Sequence, residues 1–378
     1  MTYSHKMRPQ KPLILVNALK LHQGPHRLPT GNFQIVLHLA AELGQNGEFD
    51  VRFLTDLDSY PPLSKQLESS RLIRTNLSGN SILAADWAVV GAVRRLRPTI
   101  YHRPTGQLPF MRLPCRTIAG IADISFMTLP YPPLRRLYKE ASYRWTTWMA
   151  DRVTCISRFT YDEVALRLKV PKQRLRVVPL GANPMPAPDY SSADSRSGPF
   201  FVVFAHQTHK NPELCFEAFS HVAKANPTAW LAIIGKNDYV DKLLKPLAKK
   251  LGIDASVQFI GAPDAAQLTG LYDRAIGLLF PSRFEGFGMP VLEAMGRGCP
   301  VVCSNVCSLP EVAGSAAVLL DPDDLNGMTS AMFRLLDDPE WRGRLVASGY
   351  AQAQKFTWKK TAECTEEIYR ELLSEQQK

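Results

Sequence analysis

Short apolar runs alternate with amphipathic stretches along most of this chain. Runs rich in Val, Ile, Leu and Phe predict strands, and apolar positions recurring at helical spacing predict the helices between them. In the first half, strands are predicted over 13–16, 51–54, 99–102, 117–121, 153–156 and 176–178. Helices are predicted there over 33–43, 82–96, 134–150 and 158–168. Thr160 and Glu163 have capping-box spacing, with Ser157 an equally good cap. The second half repeats the pattern, with strands over 200–205, 231–234, 257–260, 276–280 and 300–303 and helices starting near Pro212, Val240, Ala265 and Pro290. Pro212 and Pro290 suit a first helical position, where a missing N–H costs little. After Asp321 the chain reads as helical, closing with a helix over about 358–374.

Strand–helix alternation of this kind implies a parallel sheet with helices on both faces. The segment 184–198, rich in Pro, Ser, Ala and Asp, differs from both flanks and reads as a linker. The fold class is therefore α/β, with two Rossmann-like α/β/α domains facing each other across a cleft. The first covers 1–183, the second 199–355, and a helix in 356–378 is long enough to return to the first. Ligands of such sheets bind at the carboxyl ends of the strands.

Composition narrows the class. With 45% hydrophobic and 21% charged residues in 378, a mostly disordered chain is excluded. No apolar run approaches bilayer-spanning length, and residues 13–16 read as a strand and not a signal peptide, so a cytoplasmic protein is expected. Charge is uneven: residues 1–190 hold 26 Lys and Arg against 13 Asp and Glu, while the remainder holds 19 against 22. The basic half is a candidate surface for anions such as phospholipid headgroups or a phosphorylated acceptor. No nucleic-acid recognition motif is visible, and no nucleic-acid partner is expected. The seven cysteines are scattered; Cys299, Cys303 and Cys307 lie in a strand-then-loop pattern that does not make a metal site.

The most informative stretch is FPSRFEGFGMPVLEAMGRG, residues 280–298. A strand ends at Phe280 and Pro281, a glycine-rich turn follows from Glu285 to Gly288, and a helix begins at Pro290. Glycines just before a helix let backbone N–H groups approach a ligand closely, and the helix N-terminus favours an anion such as phosphate. Glu285 and Glu293 cannot bind phosphate themselves. They suit hydroxyl donors, as on a sugar or ribose, or else they are ordinary helix-start and exposed-helix acids.

This stretch resembles the E-x7-E signature of the retaining glycosyltransferases of family 4, which have the GT-B fold. SRFT at 157–160, VVPLGAN at 177–183, SLPEVAG at 308–314, LLDPDD at 319–324 and FTW at 356–358 match that family in order, and the resemblance covers nearly the whole chain. It implies that Glu285 lies by the transferred sugar. Gly286, Phe287 and Gly288, with Met289 and Pro290 behind them, hold sugar and diphosphate, and Glu293 binds ribose hydroxyls. Lys210, in HQTHKN, corresponds to the lysine that neutralises the leaving diphosphate. Gly31, in Thr30-Gly31-Asn32, matches part of the first-domain glycine loop. Two positions depart from the family. An Arg usual before the Lys is missing, leaving His206 or another basic residue to replace it. Ala122, before Asp123, stands where a His is usual. His102 ends another strand and either lines the cleft or is an ordinary hydrogen-bonded loop residue.

The resemblance implies a hexosyl transfer that retains anomeric configuration and needs no metal or other cofactor, the nucleotide-sugar being a substrate. Asp56-Leu-Asp58 has the D-x-D form of metal-dependent transferases, but no matching pattern surrounds it. The expected donor is GDP-mannose. The expected acceptor is a saccharide or lipid-diphosphate-linked saccharide of a surface polysaccharide. Residues 132–149, basic and aromatic, read either as a helix on an anionic membrane at the inner face or as a core helix with a solvated basic edge. A catalytically weak nucleotide-sugar-binding partner subunit and a sugar-nucleotide epimerase of the same fold are the alternative readings.

Overall fold

Five-residue runs such as Phe200–Phe204, FFVVF, are buried at every position, which only a strand covered on both faces achieves. The computed structural model describes residues 11–19, 22–23, 28–29, 31–57, 59–77, 81–183, 185 and 198–376. Most of the expected linker, together with Thr30 and Asp58, lies outside the described residues.

Two compact units are formed. The first takes the chain up to Ile156, then Thr160–Leu180, then the last helix from Trp358; the second takes Ser157–Phe159 and Gly181–Thr357. Within the first, the main strands are β1 (Leu13–Ala18), β2 (Asp50–Thr55), β3 (Leu72–Arg74), β4 (Ile100–Arg103), β5 (Arg116–Ile121), β6 (Arg152–Cys155) and β7 (Leu175–Val177). They form one sheet in the order β3-β2-β1-β4-β5-β6-β7, all pairs parallel. The helices are α1 (Gly31–Glu42), α2 (Tyr60–Ser64), α3 (Ile82–Leu96), α4 (Pro133–Met149) and α5 (Arg158–Arg167). Because α5 begins at Arg158, Thr160 lies inside it and does not cap it; its hydroxyl donates to the Ala122 carbonyl at 3.2 Å.

The second unit holds β8 (Phe200–Phe204), α6 (Pro212–Ala225), β9 (Trp230–Ile234), α7 (Lys245–Lys250), β10 (Val257–Gly261), α8 (Ala265–Arg274), β11 (Gly277–Phe280), α9 (Met289–Gly296), β12 (Val301–Ser304), α10 (Leu309–Ala313), β13 (Val318–Leu320), α11 (Leu325–Asp337) and α12 (Pro339–Ala353). Its parallel sheet runs β10-β9-β8-β11-β12-β13. The helix expected near Val240 starts as a π-helical turn, Val240–Leu244, before α7. Helix starts are set by side chains: Asp264 and Gln267 form a capping box on α8, and Asp324 and Asp338 accept from backbone N–H groups of α11 and α12 at 2.8 Å.

The closing helix α13 (Trp358–Gln376) is part of the first unit's core. Ala362, Ile368, Tyr369 and Leu372 pack with residues of β1, α1 and β2. Each large apolar side chain so buried stabilises by about 1.5–3 kcal/mol. Glu371 of α13 meets Arg176 of β7 at 2.8 Å, which fixes its rotation.

Both sheets share one topology. The first strand of each lies beside the fourth, and the order reverses there: β1 beside β4, β8 beside β11. Ligand sites of open α/β sheets lie beyond the strand ends at this reversal.

Candidate functional site

In the second unit, β8 and β11 lead into the two segments singled out by their chemistry. Beyond β8 the chain passes His206 to a single 3-10 turn, Thr208–Lys210; Asn211, at φ 56°, then redirects it into α6. Beyond β11 comes the turn ending at Gly288, then α9. Lys210 and Glu285 are thereby brought together: the ammonium lies 2.5 Å from the carboxylate, and both side chains are about nine-tenths buried. The ammonium also lies 4.7 Å from the centre of the Phe280 ring, a cation–π contact that strengthens when water is excluded.

The glycine turn is pinned by hydroxyls. Ser308 Oγ lies 3.0 and 2.8 Å from the carbonyls of Glu285 and Phe287, and Ser157 Oγ donates to the Gly286 carbonyl at 2.7 Å. Ser282 Oγ lies 3.2 and 3.1 Å from the carbonyls of His209 and Phe284, tying the two segments together. C=O and N–H point in opposite directions across a trans peptide. Anchoring the carbonyls of Glu285, Gly286 and Phe287 therefore turns the N–H groups of Gly286, Phe287 and Gly288 the other way. Gly288 has φ 107°, and a Cβ there would sit 2.6 Å from a Leu309 methyl. Met289 and Pro290, half-buried, open α9, so its dipole end faces this turn.

Glu293 lies one turn into α9. Burial raises its pKa, and the Asn183 amide, donating to its carboxylate at 2.8 Å, opposes that rise. The other end of that amide, Asn183 Oδ1, is buried without a hydrogen-bond partner. Glu293 is thus not an exposed-helix acid. His206 corrects a second expectation. Burial, then the charges of Lys210 and His209, hold its pKa down to about 4. It offers a neutral ring at pH 7 and not the replacement cation expected for the missing Arg.

The first-unit candidates sit as follows. Gly31 opens α1. Asp123 accepts from the Ser125 N–H at 2.8 Å and so shapes the loop after β5. His102 takes the second of its two readings: it is 3% exposed, its Nδ1 lies 2.7 Å from the Tyr369 hydroxyl of α13, and burial lowers its pKa to about 3. It is an interior hydrogen-bonded residue and does not line an open surface. Asp56 and Ser59 hydrogen-bond each other's backbone N–H groups, so this acid of the D-x-D run serves a turn. Among the described residues no group of three or more His, Cys, Asp or Glu side chains is arranged to hold a metal ion.

Asn183 and Ser308 have no role read from the sequence and Ser157 only that of a helix cap, although all three lie inside the matched runs VVPLGAN, SRFT and SLPEVAG. That three runs distant in sequence each contribute a hydrogen bond to one turn or helix was the available signal.

Chemically, a buried cation, a helix N-terminus and N–H groups turned away from the anchored carbonyls suit a diphosphate, and the two carboxylates suit hydroxyls. The family model described as glycosyl transferases group 1 matches residues 192–352, and that described as glycosyl transferase 4-like domain matches residues 31–181. The O-antigen chain mannosyltransferase B of Escherichia coli is 30% identical over 294 residues, covering 74% of this chain and 76% of that protein. Among solved structures, the sucrose-phosphate synthase of Thermosynechococcus elongatus superposes with a TM-score of 0.72 at 19% identity, covering 96% of this chain and all of that one. Anabaena HepE, solved with UDP and glucose, gives 0.69 at 15% identity over 96% of this chain and 100% of its own. The chain belongs to the family 4 glycosyltransferases, the glycosyl transferases group 1, and has their GT-B fold.

Proposed function

We propose that this glycosyltransferase moves mannose from GDP-mannose to a saccharide acceptor, free or lipid-diphosphate-linked, in the assembly of a surface polysaccharide. The observation that carries the reading is the meeting of Lys210 and Glu285 beside the glycine turn at the sheet's reversal point. In this reading the diphosphate lies on the N–H groups of 286–288 and the start of α9, and Glu293 takes the ribose hydroxyls. Lys210 stabilises the charge that develops as the bond from the anomeric carbon to the diphosphate breaks. Preorganised charge of this kind is usually the largest catalytic term. Lys210 and the helix end supply the positive charge that other transferases draw from a metal, so the reaction is metal-independent. The acceptor hydroxyl attacks from the face the diphosphate leaves, its proton passing to the departing diphosphate oxygen, and configuration is retained. The basic first unit takes the acceptor. Mannose is preferred because the similar E. coli protein is a mannosyltransferase.

The test is a thermal shift with GDP, UDP, dTDP and ADP on wild type and Glu293→Ala, followed by transfer from the stabilising nucleotide's sugar, with the product's anomeric configuration read by NMR. A ligand at 100 times its Kd stabilises by about 2.7 kcal/mol. A shift with GDP that the variant loses, and an α-linked product from α-linked donor, are expected. A shift with another nucleotide alone overturns the donor, and inversion overturns the mechanism.

A further inference from the structure

Twelve large hydrophobic side chains are exposed among the described residues, and eight of them lie on α3, α4 and the loop at Phe110. On α4, Leu134, Leu137, Tyr138 and Trp148 stand at spacings that share one helix face, and Leu134 is 83% exposed. Trp145, on the same face, stacks between Trp148 and Phe110, with ring centres 5.3 and 6.2 Å away. Leu83 and Trp87 are 69% and 62% exposed at the start of α3. Ile82, Phe110 and Tyr138 line a single cavity of about 230 Å³ between the two helices. That cavity also reaches Asn17 and Tyr101, at the β1–β4 reversal point of the sheet. A soluble monomer rarely leaves such a patch uncovered without a use for it.

Charge says what covers it. Arg135, between Leu134 and Leu137 in sequence, and Arg112, two residues beyond Phe110, have no ion-pair partner among the described residues. Arg136 donates to the Met127 carbonyl, and Lys139 lies over the Phe126 and Tyr131 rings, so neither positive charge is neutralised. Only Arg144 is paired on this helix, with Glu140 at 2.8 Å. We infer that this face of the first unit lies on an anionic lipid bilayer, with the apolar stripe of α4 and the start of α3 in the headgroup–acyl boundary and the arginines on the lipid phosphates. Tyr and Trp suit such a boundary, and long basic side chains reach outward from it. No described helix is long and apolar enough to cross a membrane, so the contact lies in the interface plane. A second copy of the chain fits poorly, because a two-fold contact sets this positively charged patch against itself.

Co-sedimentation with vesicles of phosphatidylcholine alone, or mixed with phosphatidylglycerol, tests the assignment. Wild type is expected on the phosphatidylglycerol vesicles, less so as salt rises, and not on the neutral ones. Arg135→Glu is expected to weaken binding about fivefold for each unit of charge changed. Leu134→Ser with Leu137→Ser is expected to weaken it about tenfold or more. Both variants should keep the wild-type melting temperature and nucleotide response, because these residues lie outside the donor machinery; donor binding and vesicle binding can therefore fail separately. Absence of wild type from anionic vesicles overturns the inference. So does binding that neither variant weakens, or a concentration-dependent dimer that both variants dissolve.

Discussion

Lys210 and Glu285 stand 75 residues apart in sequence and 2.5 Å apart in space. They meet because β8 and β11 are adjacent and parallel, so both chains leave the sheet at the same edge. The pair is nearly dry, and a dry ion pair is held at the cost of desolvating both charges. The position is therefore poor value for stability alone and well suited to an incoming anion, which would take over one partner's role.

Removing either half should expose that cost. Lys210→Ala leaves a buried carboxylate uncompensated and is expected to destabilise by about 3–5 kcal/mol. Glu285→Gln keeps the volume and one acceptor and should cost less. A double-mutant cycle in urea should give a coupling well above the 0.3–0.5 kcal/mol typical of independent sites. Turnover should fall by about 10²–10³ in Lys210→Ala, as for loss of one preorganised electrostatic group. Additive stabilities, or near-normal turnover in Lys210→Ala, would show that the pair is ornamental.

Gly288 offers a separate handle on the same turn. At φ 107° an L side chain is strained, and the added methyl meets Leu309 at 2.6 Å. Gly288→Ala should cost about 1–3 kcal/mol from backbone strain. It should also weaken nucleotide binding, because the 286–288 N–H groups shift. Gly252→Ala is the control: φ is 68°, nothing lies within 4 Å of its Cβ, and the position is in the loop after α7. Equal loss of nucleotide response in both variants would place the effect in general instability and not in the turn.

Local features were legible before the structure, and distant meetings were not. Central strands such as β8 show because burial on both faces demands an unbroken apolar run. The edge strands β3 and β13, three residues each, are absent from the expected strands, whereas β7, equally short and also at an edge, is among them. The glycine turn before α9 was readable because its residues are contiguous. The Asn183–Glu293 contact spans 110 residues, and the interior role of His102 depends on Tyr369, 267 residues away. The apolar face of α4 has the same sequence pattern whether it meets a core or a solvent boundary; only its exposure decides.

His102 should make the first unit acid-sensitive. Its pKa drops from 6.5 to about 3 on folding, so between those values the unfolded chain binds more protons than the native one. Stability then rises with pH across that window and is fully present above 6.5. As pH falls below 6.5, about 1.4 kcal/mol is lost for each unit. His102→Gln should flatten that part of the slope, leaving the contribution of His38, whose pKa burial also lowers. Urea denaturation from pH 4 to 8 measures it, and an unchanged slope would mean that His102 is not titrating in the unfolding transition.

Glu293 should behave in the opposite sense. Burial raises its pKa, so between the ordinary carboxylate value and the raised one the native state holds the extra proton. Stability therefore falls as pH rises through that interval and stays low above it. Glu293→Gln removes the desolvated charge while keeping an acceptor for Asn183. The variant should be more stable than wild type at pH 7, and the difference should shrink to nothing below the ordinary carboxylate range. Its affinity for the nucleotide should nevertheless drop, because a neutral amide is a weaker acceptor than a carboxylate for two ribose hydroxyls. Paired measurements of unfolding free energy and nucleotide Kd against pH decide the matter. A variant that loses stability at pH 7 would assign Glu293 to the scaffold, whereas a gain in stability with a loss of affinity is the signature of a charge kept for its ligand.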